Sequence, residues 1–495
     1  MIIVKVVILI MILMKTVTSL RLSLKSLSSL SSLSSLSSLT SISPLISREY
    51  NKYRNFKIKS NMNDNMNDDI NDDTNGSDII TTTIPKKFVP IPFQYHEIIT
   101  ITIDDITNLG SGVGRVLLPD GVSSWVVMVP LCLPGEVVKA RVYRNHQSYS
   151  DADLIEIIKP SSDRIAPLCK YYEICGGCQY QHITVSAQRL WKRQQVLSLL
   201  NRIGNITNIT VNDVIGTDNY YGYRTKITPH YNAPRSINDL KVGFQQRGTR
   251  IVIDIDQCII AVPEINTKYE SIRKELKNKM INKLPKKGAT LLLRSCEEGV
   301  ETDHTKIITQ NVNGITFKFK AGEFFQNNEF VIPLMVDHVI KNAIGDDCNY
   351  LIDAYCGSGL FSLCAASSFK RVEGVEVSDL AIKAARKNAE LNNITNANFI
   401  CASSEAIFSK VQDLPKDNTV IILDPPRKGC DDDFLKQLIN FFPKKIVYVS
   451  CDPATQARDA KIIVDGGYRI TDVTPFDLFP QTRHIENVIV FLRDN

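Results

Sequence analysis

Three short stretches of this sequence carry residues that could do chemistry together. Ser450-Cys451-Asp452-Pro453 ends an apolar run from Ile446 to Val449, so a thiol stands where a probable strand gives way to a turn. Asp353-Ala354-Tyr355-Cys356-Gly357-Ser358-Gly359 follows another strand and reads as a nucleotide-binding turn. Asp424-Pro425-Pro426-Arg427 lies between them, its prolines fixing a rigid loop. A cofactor turn, an Asp-Pro-Pro loop and a strand-end thiol suggest methyl transfer to a nucleic-acid base through a covalent cysteine adduct.

C5 of uracil is a poor nucleophile. Addition of a thiolate to C6 makes C5 carbanion-like, so that it can attack a sulfonium methyl group. The C5 proton must then leave before the thiol is expelled. The chemistry needs a nucleophilic cysteine, a base for that proton and help for the O4 oxyanion. Cys451 is the expected nucleophile. Glu486, at the start of the final apolar strand, is the expected proton acceptor, ahead of His484. Arg483 suits a phosphate. Asp424 could meet the uracil edge or the cofactor.

Two cofactors suit the glycine turn, a dinucleotide and S-adenosylmethionine. Glu376 ends the next strand about twenty residues on, where an acid can accept ribose hydroxyls. Leu363 stands near the place of the third dinucleotide glycine, which favours the S-adenosylmethionine form.

A second cluster is made of thiols. Cys169-x5-Cys175-x2-Cys178 has ligand spacing, and Cys258 is the best candidate for a fourth. All-thiolate ligation fits an iron–sulfur cluster or zinc. The spacing alone leaves both open.

The elements that must position these groups are legible in outline. Residues 350–495 alternate strand and helix: Tyr350 to Ala354, Arg371 to Val377, Val420 to Leu423, Lys445 to Val449 and Val488 to Leu492 read as strands, and Asp379 as the cap of a helix running to about Asn392. This predicts a doubly wound, Rossmann-like α/β domain. Glu97 to Ile103, Trp125 to Val129, Val137 to Val142 and Leu154 to Ile158 predict four short strands of a small barrel, with Leu109 to Gly114 as a tight glycine turn. The middle is mixed. Ala187 to Ile203 predicts a helix with Leu190, Leu197 and Leu200 on one side and Lys192, Arg193 and Arg202 on others; strands follow at Lys226 to Tyr231 and Arg250 to Ile255.

Length (495 residues) allows two or three domains, and 43% apolar with 22% charged residues is ordinary for a globular protein. The net charge of +5 is unevenly spread. Residues 1–60 carry nine Lys/Arg against the single acid Glu49, and residues 61–78 carry six Asp. What remains is too mildly basic to indicate nucleic acid by bulk charge, so an RNA site must be a local patch. Arg224, Lys226, Arg247 and Arg250 are candidates for the backbone, with Tyr223 for stacking. The Ser-rich, basic leader resembles a mitochondrial transit peptide, with a secretory signal or plain low-complexity sequence as rivals. The mitochondrion is the expected location; the cytoplasm or nucleus is the alternative. The apolar start, Met1 to Met14, is too short to span a bilayer, and no membrane partner is expected. The Asn/Asp tract reads as a solvated linker.

Taken together, Phe324-Phe325-Gln326-Asn327-Asn328, Asp353 to Gly359, Asp424 to Gly429, Tyr448 to Thr455 and His484-Ile485-Glu486 resemble the motifs of the RNA uracil-5-methyltransferases with a TRAM β-barrel, most closely the eukaryotic, fungal-type tRNA branch. The resemblance covers residues 94–495. It implies a TRAM-like (OB-like) barrel over 94–160, a central iron–sulfur and RNA-binding α+β domain over 161–322 and a methyltransferase domain over 323–495, with 1–93 as leader. It implies that Gln326, Tyr355, Glu376 and Asp424 bind S-adenosylmethionine, and that Cys451 and Glu486 do the chemistry. It also implies a [4Fe–4S] cluster on Cys169, Cys175, Cys178 and Cys258. The expected partner is tRNA, with rRNA possible, and the expected state a monomer. Two positions depart from the pattern: Leu360 replaces a polar residue of bacterial relatives, and Thr225 stands for Asn in the central Tyr-Arg-Asn-Lys/Arg motif. A cytosine C5-methyltransferase and an RNA chaperone with a relic site are the rival readings.

Overall fold

A computed structural model describes residues 88–403, 407–411 and 413–494. The expected leader, apart from residues 88–93, and the Asn/Asp tract lie outside the described residues.

Five strands close a barrel in the order β1-β2-β3-β5-β4: β1 (Ile98–Ile106), β2 (Ser111–Leu117), β3 (Ser124–Pro130), β4 (Val137–Asn145) and β5 (Tyr149–Lys159). Alternate residues such as Ile99, Ile101 and Ile103 point inward, as a two-residue period demands. The predicted glycine turn is corrected here. The turn ends at Gly110, and Ser111–Leu117 is a strand. Gly114 serves close approach: a Cβ there would fall 2.3 Å from the Thr102 carbonyl oxygen. Asn145 Nδ2 donates to the carbonyls of Val89 and Phe93 at 2.7 Å each, fastening that segment to the barrel.

The central region has two small sheets. β10 (Ala289–Thr290), β7 (His230–Tyr231), β8 (Val242–Gln245) and β9 (Val252–Asp254) form one; β12 (Gly299–Glu301), β11 (Leu293–Cys296) and β6 (Lys226–Ile227) form the other. The single strand expected over 226–231 is therefore two, separated at Pro229, which has no N–H to donate. Helices α1 (Val185–Arg202) and α2 (Pro263–Asn282) accompany them. The face assignment of α1 holds for Leu200, which is buried, and fails for Leu190, which is 48% exposed, and for Lys192, which is buried. The buried face mixes apolar residues with Gln188, Lys192 and Gln195, whose polar partners are described below.

A hairpin, β13 (Ile307–Val312) and β14 (Ile315–Lys320), leads to α3 (Ile332–Ala343). Seven further strands form one sheet: β15 (Tyr350–Ala354), β16 (Arg371–Glu376), β17 (Ala397–Cys401), β18 (Thr419–Leu423), β19 (Lys445–Ser450), β20 (Tyr468–Phe476) and β21 (Glu486–Arg493). Their order is β17-β16-β15-β18-β19-β21-β20, parallel through β19 and antiparallel at β21 and β20. Helices α4 (Leu360–Ala365), α5 (Asp379–Leu391), α6 (Ile407–Lys410), α7 (Asp432–Phe441) and α8 (Pro453–Asp465) connect them. Ser378, not Asp379, caps α5, its hydroxyl accepting from Ala381 N at 3.3 Å. The strand order reverses direction between β15 and β18, where ligands of open α/β sheets bind.

Among the described residues, no helix is long and apolar enough to cross a membrane.

Candidate active site

β15 delivers its chain into the glycine turn at the carboxyl edge of the sheet. Tyr355, Gly357 and Gly359 all take positive φ (68°, 54° and 94°). A Cβ on Gly357 would meet nothing within 4 Å, so the space beside that backbone is open to a ligand. The ring of Tyr355 packs edge-on against Phe434 with centroids 5.5 Å apart. Glu376 leaves β16 beside the turn, accepting from Gly357 N at 3.3 Å and Ser378 N at 2.9 Å. Asp353 beneath is fully buried and accepts from the backbone N–H and hydroxyl of Ser362. Gln326 is buried on the segment that follows β14, and Leu360 packs against the main core.

The thiol and the acid meet through register. β19 and β21 run antiparallel with Ser450 opposite Asn487 and Val449 opposite Val488. The pairing of the two strands ends there; Cys451 directly follows Ser450, Glu486 directly precedes Asn487, and the two side chains interact electrostatically. Beneath them Gln456 Nε2 donates to the carbonyls of Tyr448 and Asn487, while Asn487 Nδ2 donates back to Gln456 Oε1 at 2.8 Å. Asp452 caps α8 by accepting from Ala454 N, which turns the chain directly after the thiol. Asp424 enters from β18, and α8 clamps the loop behind it: Arg458 Nη2 donates to the carbonyls of Lys428 and Cys430.

The site gathers acidic groups whose proton affinities are raised. Burial pushes the Cys451 thiol up to about 12, and Glu486 and Asp424 add to it against Arg427. Burial, then Asp424, holds the Glu486 carboxyl well above the usual carboxylate range, and Arg427 opposes. Asp424 is pushed up to about 7 by burial and by Asp353. Asp353 reaches about 7, mainly through burial. Buried carboxyls repelling one another fit a cationic ligand. His484 is pushed down to about 3 by burial and by Arg483, Arg427, Lys192 and Arg224, which makes it a poor base.

Cys169, Cys175, Cys178 and Cys258 line one cavity of about 340 Å³, and its wall includes Thr482, Arg483 and His484. All four thiols are free. Burial raises the Cys178 thiol first, then Cys258, with Cys175 and Cys169 adding to it. Among the described residues, no group of three or more His, Cys, Asp or Glu is arranged to hold a metal ion.

The expected RNA contacts fare unevenly. Tyr223 is fully buried, with its hydroxyl donating to the Pro480 carbonyl at 2.9 Å, so it cannot stack on a base. Arg247 Nη2 donates to the carbonyls of Tyr172 and Cys178 and serves the thiol loop. Lys226 reaches the carbonyls of Gly322 and Glu323. Arg224 lies over the Phe479 ring. Arg250 alone of the four is exposed.

Sequence reasoning missed the residues that hold the crossing from β20 to β21. Lys192 Nζ donates to Asp477 Oδ1 at 2.6 Å and to the Phe479 carbonyl at 3.2 Å. Gln188 accepts from Gln481 N and donates to Gln481 Oε1, both at 3.0 Å. Asn328 Nδ2 donates to the Leu478 carbonyl at 2.9 Å. The 188, 192, 195 spacing is one helical stripe, and that polar stripe was the available signal.

The family profile described as tRNA (Uracil-5-)-methyltransferase matches residues 257–494. A relative from Schizosaccharomyces pombe, described as tRNA (uracil(54)-C(5))-methyltransferase, is 37% identical over 81% of this chain and 80% of its own. The chain belongs to the tRNA (uracil-5-)-methyltransferase family. A second member with the same description, from Saccharomyces cerevisiae, is 34% identical over 82% of this chain and 75% of its own. The crystal structure of Pyrococcus abyssi tRNA (uracil-54, C5)-methyltransferase in complex with S-adenosyl-L-homocysteine superposes with a TM-score of 0.61, covering 80% of this chain and 100% of that one at 22% identity. It shares the fold of this uracil-5-methyltransferase.

Proposed function

We propose that this enzyme methylates C5 of a uridine in RNA, the T-loop uridine of tRNA, with S-adenosylmethionine as donor. The observation that supports this chemistry is that the β19–β21 pairing ends at Ser450–Asn487, next to Cys451 and Glu486, with Glu486 and Asp424 both acting electrostatically on the thiol. The descriptions of the two fungal relatives support tRNA over rRNA.

S-adenosylmethionine supplies an electrophilic methyl on a sulfonium cation. The open face at Gly357 and the carboxyls of Glu376 and Asp424 suit its binding, with Gln326 and Tyr355 beside them. A positive charge bound there lowers the Cys451 thiol and the Glu486 carboxyl together. The Cys451 thiolate forms a bond from Sγ to C6, and the C5–C6 π pair moves onto C5 and O4. C5 takes the methyl, while the broken sulfur–carbon pair stays with the donor sulfur. Glu486 then removes the C5 proton. The freed pair restores the C5–C6 double bond as the Sγ–C6 bond breaks and returns the thiolate. The uridine reaches Cys451 by leaving its stack.

Cys169, Cys175, Cys178 and Cys258 are the proposed ligands of a [4Fe–4S] cluster. The thiols share one cavity, which suits all-thiolate ligation, and the resemblance to cluster-bearing relatives favours iron–sulfur over zinc. The cluster's part is structural, because no step above moves an unpaired electron. The leader is read as a mitochondrial transit segment.

The test is a T-arm transcript carrying 5-fluorouridine, incubated with S-adenosylmethionine. Fluorine cannot leave as a proton, so the adduct persists, and the linked peptide is expected to contain Cys451. Cys451→Ala is expected to give no linked peptide. An active preparation that links a different cysteine, or none, overturns the assignment.

A further inference from the structure

The half-buried side chain of Gln179 touches three parts of the molecule. Its Nε2 donates to the Gly176 carbonyl at 2.9 Å, inside the Cys175–Cys178 turn. Its Oε1 accepts from Arg483 N at 3.2 Å, three residues before Glu486. A Cβ added to Gly110, in the turn between β1 and β2, would fall 2.9 Å from the Gln179 Cβ. The backbone continues the attachment: Gln179 N and Tyr180 N both donate to the Gln481 carbonyl, at 3.1 and 3.0 Å. Gln481 is buried with φ at 66°, a conformation that a non-glycine residue keeps only when its surroundings enforce it.

We infer that Gln179 is the positioning residue through which the Cys175–Cys178 turn sets the placement of Glu486. The crossing from Asp477 to Ile485 has no regular structure of its own, and its polar groups are met by the central region. Beside the backbone bonds to Gln481, the Gln179 side-chain amide bridges that crossing to the thiol turn. A rearrangement of the turn therefore moves Arg483 N, and with it the start of β21. This rests on the reading of Glu486 as proton acceptor.

The distinguishing signature is the stage at which the reaction stalls. A displaced Glu486 leaves C6 addition and methyl transfer intact and slows loss of the C5 proton, so a methylated protein–RNA adduct accumulates. Gln179→Leu removes both side-chain bonds. Gln179→Glu keeps the acceptor toward Arg483 N and loses the donor toward Gly176. Glu486→Gln marks the fully stalled enzyme. The full chain is mixed with ordinary tRNA and S-adenosylmethionine, and the adduct is measured on a denaturing gel, alongside donor affinity.

Gln179→Leu is expected to hold severalfold more adduct than wild type, with donor affinity within about twofold. Gln179→Glu is expected to fall between them. Adduct with Glu486→Gln but none above wild type with Gln179→Leu overturns the inference. Absence of adduct with Glu486→Gln overturns instead the reading of Glu486. If Gln179→Leu does not fold, Gln179→Glu decides alone: adduct no greater than in wild type overturns the inference.

Discussion

In the seven-stranded sheet, Glu376, Asp424 and Cys451 follow or end parallel strands at one edge, and pairing register places them. In the central region the strands are two to four residues long, and the thiols sit on loops held by side chains such as Arg247 and Gln179. The sheet places a group by counting residues, whereas the central region places it by named hydrogen bonds. Substitutions in the first should change chemistry with little loss of structure. Substitutions in the second should change geometry and stability first.

The sharpest way to break this contrast is Glu486→Gln. Release of free methylated RNA is expected to fall by roughly 10²–10⁴-fold, as for loss of a general base, with the fold intact and methylated adduct accumulating. Multiple-turnover analysis of released RNA measures it, and a variant that unfolds instead would erase the distinction. The pH dependence comes next. Cys451, Asp424 and Glu486 all have raised pKa values, and the roles proposed for Cys451 and Glu486 require them to lose their protons. The rate constant kcat/KM should therefore rise, by up to about tenfold per unit, from about pH 6 to about pH 9. A descending limb below about pH 8 would contradict it. The third is Lys192→Met in the central region. Burial lowers the Lys192 ammonium while Asp477 opposes it, and both side chains are fully buried. Removing the cation leaves Asp477 with Arg189 at 3.6 Å, and about 3–5 kcal/mol of stability should be lost. Urea unfolding of the full chain measures this; a loss under about 1 kcal/mol would show that the pair does not organise the crossing.

The same contrast explains what could be read in advance. Val420 to Leu423 and Lys445 to Val449 are short apolar runs bounded by turn residues, and both are buried strands. Asp424 and Cys451 directly follow them, so their positions at the carboxyl edge of the sheet were legible. β20 was not, because Asp472, Thr474 and Pro475 interrupt it; as an edge strand it tolerates proline. Lys192 looked solvent-facing since its partner Asp477 lies 285 residues away. Tyr223 looked like a stacking platform, and only the Pro480 carbonyl shows where its hydroxyl is used. Local pattern reveals elements; a polar stripe such as 188, 192, 195 can flag distant pairing without naming the partner.

The Ser450–Asn487 pairing acts as a ruler between the neighbouring residues Cys451 and Glu486. Changing residue types within β19 or β21 keeps its length, whereas adding or deleting one residue shifts the ladder and turns the carboxylate to the opposite face. Variation along these strands should therefore be rich in exchanges of one apolar residue for another and empty of insertions and deletions.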